Sequence, residues 1–398
     1  MTKSDSELIK LSRFPLAVMV VFLHAEPIVI GWDMTNMTTE HMGANIAGVT
    51  MLSISHILTQ IAVPIFFVIS GFLFFQKLQE WDTREWKRKM QSRAKTLLIP
   101  YLVWVFLFCL ISAVKFTVTN YGISGIRTGV AEWLSEQGGL LSAFWSSVKW
   151  ISGASNLLGQ KIIMSGPVPF HLWFIRDLIV AVLFTPAFYL FLRRKHCGIS
   201  VIAIISMVVL ALLYIAQINT GVPGLSFSTL FFFGLGAFMS LNNIQFSVCY
   251  KYRYILYALS LLLFIVLIPL DGSRTILGSK LFPCWVLCGS ITFLNIEQLY
   301  LKSNIFKSNI FNGIEKSAFF LYVVHPFFLS LVWTCVTKAI CLIYSTDSIT
   351  DLAFVEAHPV VYILAYFFKV FGAIVISVVI YKIMARFFPK TTQFLCGR

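Results

Sequence analysis

The chain has 398 residues, 58% of them hydrophobic and 12% charged, with a mean hydropathy of +0.83 and a formal net charge of +14. So few charges cannot cover that much apolar surface in water, which excludes a soluble globular class and requires most of the chain to face lipid or pack among lipid-facing helices. The Lys and Arg residues fall in short stretches between apolar runs, a pattern that fits a positive-inside topology and anionic headgroups rather than nucleic acid.

Residues 1–7 are polar and lack a signal-peptide pattern, so the first apolar run is expected to be retained. In hydrocarbon the backbone has no water to bond, so the apolar runs are predicted to be helices and strand readings are set aside. Spans are predicted at 8–30, 55–75, 97–118, 172–192, 199–218, 225–241, 254–270, 281–299, 317–340 and 360–383. Ten spans put both termini on one face. That face carries 22 of the 31 Lys and Arg residues in its tails and loops, against seven on the other (Lys115, Arg127, Lys149, Lys161, Arg274, Lys280 and Lys338). The excess makes the N and C termini cytoplasmic. The expected fold class is all-α, a polytopic membrane protein of about ten transmembrane helices forming one domain over 1–398, with no appended soluble domain.

Two connections stand out. The cytoplasmic stretch 76–96, QKLQEWDTREWKRKMQSRAKT, is the most basic in the chain, either a topology anchor on anionic lipid or a phosphate-binding surface. The outer connection 119–171 is long enough for a small cap, and its Trp133, Phe144, Trp145 and Trp150 are expected in the headgroup layer. The eight cysteines are scattered through the spans and read as buried small hydrophobes, with no metal site and no disulfide framework.

Ionisable residues within spans are costly, and each is a functional hypothesis. Arg13 and His24 lie eleven positions apart in SRFPLAVMVVFLHAEP, nearly on one helix face and about 16 Å apart in rise. This sets Arg13 near the cytoplasmic mouth and His24 deep, with Glu26 two residues on and a helix break expected at Pro27. A cation at an entrance and an imidazole further along the same stripe suit a tunnel that delivers the reactive end of an anionic donor to a general base.

These residues, with VPIFFVISGFLFF at 63–75, RAKTLLIPYLVW at 93–104, HLWFIRDL at 171–178 and LYVVHPFF at 321–328, resemble the bacterial membrane acyltransferase-3 superfamily. The likeness runs in order from about residue 8 to 383. It implies transfer of an acyl group, usually acetyl from acetyl-CoA, to a hydroxyl of a carbohydrate or cell-envelope glycan, by a multi-pass protein of the bacterial inner membrane. Arg13 and His24 match the family's hallmark pair, with His24 catalytic. The family's paired arginines in the first cytoplasmic loop are absent in that form; Arg84, Lys87, Arg88, Lys89, Arg93 and Lys95 stand there instead, dense enough in charge for the three phosphate groups of the donor coenzyme. No permanently bound cofactor is implied; the acyl-CoA is a substrate. Either direct transfer or an acylated His24 satisfies the chemistry. Many relatives carry an extracytoplasmic esterase-like domain, which this sequence does not show.

His325 lies in span nine before Pro326, which frees a backbone carbonyl that something must satisfy, and it is either a polar contact on the donor side or a packing residue. Trp173, Arg176 and Asp177 enter span four on the acceptor side with Glu26. Adjacent helical positions do not face one another, so Arg176 and Asp177 are each expected to pair elsewhere, Arg176 with Glu26. Pro64, Ser70 and Gly71 are expected to permit close helix approach. Lys369 and Glu356 read as structural or surface residues. A proton-coupled transporter or flippase using Arg13, His24 and His325 is the main rival, but the repeated halves common in that class are not found. A non-catalytic scaffold leaves the intramembrane Arg and His unexplained.

Overall fold

The structure is a computed structural model whose described residues are 3–25, 37, 39–76, 78, 80–155, 160–194, 198–218, 220–302 and 313–397. The apolar runs fold as helices: α1 (Lys3–Leu23), α2 (Met42–Leu52), α3 (Ala62–Phe75), α4 (Thr83–Arg93), α5 (Ile99–Tyr121), α6 (Ile126–Glu136), α7 (Leu140–Trp145), α8 (Trp173–Leu183), α9 (Thr185–Leu192), α10 (Val201–Ile215), α11 (Phe227–Leu241), α12 (Arg253–Leu267), α13 (Ile276–Lys302), α14 (Ala318–Tyr344), α15 (Leu352–Ala357), α16 (Pro359–Phe387) and α17 (Pro389–Leu395). Among the described residues, six helical stretches are long and apolar enough to cross a membrane, seven if the bent pair α8 and α9 is one span. Helices α10 and α11, 15 residues each, fall short of that length. The protein is a helical, multi-pass membrane protein, with outward rows of Ile, Leu and Val such as Ile204, Ile205, Val208 and Leu212 on α10.

One expectation needs correction. An antiparallel hairpin, β1 (Val148–Ser155) and β2 (Lys161–Gly166), sits in the long connection before α8. The helical requirement binds only where backbone meets hydrocarbon, and this segment lies outside the apolar runs. The basic stretch is also more regular than a loop. Asp82 accepts from the backbone N–H of Arg84 at 2.8 Å to start α4, which passes through a π turn at Ala94–Leu98 into α5.

The chain divides into two compact units, Met1–Phe66 with Gln245–Phe387, and Phe67–Ile244 with Phe388–Arg398. In the first, α1, α2, α14 and α16 share a core seamed by Ala17, Ala25, Ala44, Ala47, Ala365 and Ala373, with Tyr362 and Tyr366 buried among them. Small side chains let backbones approach where no hydrophobic force distinguishes helix from lipid. After α2 the chain passes through a π turn at Ser53–Ile57 and a 3₁₀ turn at Leu58–Ile61.

In the second unit α6 folds back along α5. There Trp133, expected among headgroups, is buried and donates its indole N–H to Ser112 Oγ at 3.2 Å. Gly71 of α3 meets the backbone at Phe233 of α11, and Gly236 of α11 meets the backbone at Val68; a Cβ at either would strike a carbonyl oxygen. This reciprocal crossing is the close approach expected of Gly71. Helices α8 and α9 bend by 58° at Phe184. Pro186 has no N–H for the Val182 carbonyl, and Thr185 Oγ1 donates to that oxygen at 2.7 Å instead.

Candidate functional site

In the first unit, Pro326 removes the donor that would serve the Tyr322 carbonyl four residues back. The ring of His325 takes over, with Nδ1 donating to Tyr322 O at 2.6 Å. A carbonyl only accepts, so Nδ1 carries the proton of this bond. His325 is fully buried, and the ring of His24 stacks on it with centroids 5.2 Å apart and planes inclined by 23°. The two histidines singled out in spans one and nine thus form one pair.

Helix α1 ends at Leu23, so His24 sits at the end of the helix, where its N–H bonds to the Val20 and Val21 carbonyls at 3.3 Å each. Last-turn carbonyls lack intrahelical donors and carry the negative end of the helix dipole. Two side chains serve carbonyls in this last turn and just beyond it. Ser55, presented by the π turn, donates to Phe22 O at 2.7 Å and shares a 2.8 Å hydrogen bond with Tyr366 Oη. Lys369 of α16, only 8% exposed, donates from Nζ to Ala25 O at 2.7 Å, with its ammonium 4.9 Å from the Trp333 ring centroid. His24 is therefore fixed between two clamped carbonyls. Lys369, expected to be structural or at the surface, thus bears on the site; its lone cation deep in an apolar run is the signal that singles it out.

Arg13, halfway along α1, is exposed. Its neighbour Ser12 is buried and bonds the carboxyl of Glu297 on α13, beside buried Asn295 and Gln298. Glu297 lies within a predicted span and is not among the residues expected to act there. Glu26 and Pro27 lie outside the described residues.

The second unit holds the basic cluster. Arg84, Lys87, Arg88 and Lys95 are exposed. Arg88 pairs with Glu85 at 2.6 Å, and Arg88, Gln91, Ser92 and Lys95 follow helical spacing along one wall of a cavity of about 380 Å³ completed by Thr96 and Gly397. Gly397 has φ +66°, and a Cβ there would strike the Thr96 carbonyl. Trp104 fixes the segment by donating to Leu395 O at 2.9 Å. Lys89 is engaged at the end of α3, donating to Phe74 O at 2.6 Å and Gln76 O at 2.7 Å, and Arg93 is half-buried. The cationic lining of the cavity is thus Arg88 and Lys95.

The acceptor-side residues require a second correction. Arg176 and Asp177, 2% and 3% exposed, pair with each other: Nε and Nη2 donate to Asp177 Oδ1 at 2.9 and 2.7 Å, and Nη1 donates to Trp145 O at 2.6 Å. The rule that adjacent helix positions do not face one another holds for short side chains; the expected pairing of Arg176 with Glu26 falls outside the described residues. The long arginine stem curls round the first turn of α8 to its neighbour. Trp173 opens α8 half-buried.

A family model described as an acyltransferase domain matches residues 9–382. The chain is 27% identical over 189 residues to the succinoglycan biosynthesis protein ExoH of Rhizobium meliloti (strain 1021), a match covering 47% of this chain and 43% of that protein. The chain thus spans less than half the length of this curated relative. No solved structure matches it significantly.

Proposed function

Because the chain belongs to the acyltransferase-3 family, we propose that it is a membrane-bound O-acyltransferase that moves an acyl group, acetyl by preference, from acyl-CoA to a hydroxyl of a carbohydrate or cell-envelope glycan. The relative's printed name, a succinoglycan biosynthesis protein, supports a carbohydrate acceptor. The proposed setting is a bacterial cytoplasmic membrane, with ten spans and both termini inside, in keeping with the distribution of Lys and Arg.

The observation that carries the reading is His24, stacked on His325 and held at a helix end by Lys369 and Ser55. In the reaction the acceptor hydroxyl oxygen attacks the thioester carbonyl while its proton passes to the neutral His24 imidazole. The C–S bond then breaks, and the departing thiolate takes the proton back from the imidazolium. His325 supports the His24 ring. Arg13 supplies a cation along the donor's path, and the phosphates bind the basic face of α4, with Arg88 and Lys95 foremost. Trp173, Arg176, Asp177 and Glu26 belong to the acceptor side.

The test is transfer of labelled acetyl from acetyl-CoA to a mixture of cell-envelope glycans by the purified chain in nanodiscs. His24→Ala should lower the rate by at least about 10²-fold, the scale of a lost general base, with insertion and melting temperature unchanged. Equal label with wild type and variant would defeat the reading in favour of transport.

A further inference from the structure

Beside the basic helix α4 stands an aromatic cluster that the reaction as described does not use. Trp81, just before α4, is 37% exposed; its ring lies 5.1 Å from that of Tyr189 on α9 and 5.9 Å from that of Trp86 on α4. The other two rings are held in place. Trp86 donates its indole N–H to Thr185 Oγ1 at 3.1 Å, and Tyr189 is buried. The exposed Arg193 stands with its guanidinium 5.7 Å from the Tyr189 centroid. A part-exposed indole, backed by two fixed rings, with exposed Arg193 at the cluster and exposed Arg84 and Lys87 within a turn of it in sequence, is the combination that takes a nucleotide, with the base on the ring and phosphates on the cations.

We propose that Trp81, supported by Trp86 and Tyr189, is the stacking platform for the adenine of the donor's nucleotide half. This rests on the reading of α4 as the donor-phosphate surface. The rival occupant of an exposed tryptophan in a membrane protein is the headgroup layer, and that role has no preference for a purine.

The experiment measures calorimetric affinity of the full chain in nanodiscs for three probes: coenzyme A, adenosine 3′,5′-bisphosphate and 4′-phosphopantetheine. Trp81→Ala should weaken the first two by about tenfold and leave the third unchanged, while Trp81→Phe retains most of the affinity. Adenosine 3′,5′-bisphosphate should also quench tryptophan emission in wild type and less so in Trp81→Phe. Equal affinity of wild type and Trp81→Ala for the bisphosphate overturns the platform and leaves the donor surface standing. A uniform loss for all three probes assigns Trp81 a structural or anchoring role and also overturns the platform. Failure of wild type to bind either coenzyme A or the bisphosphate overturns the donor reading beneath it.

Discussion

Lys369→Met removes the donor that holds the Ala25 carbonyl while keeping the length and apolar stem of the side chain. The lysine is 8% exposed, so its 2.7 Å hydrogen bond to the Ala25 carbonyl, just past the end of α1, is shielded from water, and a hydrogen bond to a charged group is worth about 1.5–3 kcal/mol. Loss of the ammonium 4.9 Å from the Trp333 ring adds about 0.5–1 kcal/mol. If about 2 kcal/mol of this fixes the residue that follows His24, its loss slows the chemical step about 30-fold. Steady-state transfer of labelled acetyl should therefore show a fall in kcat with the KM for acetyl-CoA nearly unchanged, because the clamp acts on the base while donor binding is proposed to rest on α4. Lys369→Arg restores a donor of similar reach and should recover part of kcat. A purely structural lysine gives a different record, with activity following the folded fraction and the pH profile of kcat unmoved. A Lys369→Met protein of wild-type kcat and wild-type melting temperature would refute the positioning argument.

Gly71→Ala and Gly236→Ala each drive a methyl group into a backbone carbonyl that no rotamer can move, so each should lose about 3 kcal/mol in a thermal or denaturant assay of the detergent-solubilised protein, and the pair should lose less than the sum. Asp177→Asn leaves the Arg176 guanidinium buried with half its partner, at a cost of about 3 kcal/mol, whereas Arg176→Met with Asp177→Asn should recover much of that loss by the same assay. Glu356 accepts from the N–H groups of Ala44 and Gly43 at the start of α2, and those bonds hold its carboxyl below the usual carboxylate range. A depressed folded pKa stabilises above the unfolded value of about 4.3 and fades as pH falls through the folded one. Glu356→Gln should accordingly lower the melting temperature at pH 7, and the gap from wild type should close in acid.

Local features of the sequence carried far, and the misreadings share one cause. Pro326 announces that the carbonyl at Tyr322 has lost its donor, and His325, one residue before the proline, is in reach to answer; the same arrangement recurs at Val182, Thr185 and Pro186. Gly71 likewise announces a close approach, although nothing near it in sequence names Gly236 as the partner. Periods of 3.6 residues and single breakers are written within a few positions, whereas pairings such as Lys369 with Ala25, 344 residues apart, and Ser12 with Glu297, 285 apart, exist only once helices are packed. A lone lysine in an apolar run therefore looks like a snorkelling side chain, and a lone glutamate near a span end like a boundary. The error at Arg176 has the same root. The angular rule for adjacent helix positions places Cβ atoms, but the charged end of arginine lies several bonds beyond and takes the nearest carboxylate that a buried site leaves it. For His24 the consequence is direct. Its residue type was legible as that of a base, but the groups that fix it, Lys369 and Ser55, come from other helices, so substitutions far from it in sequence should tune its rate while leaving the donor surface on α4 intact.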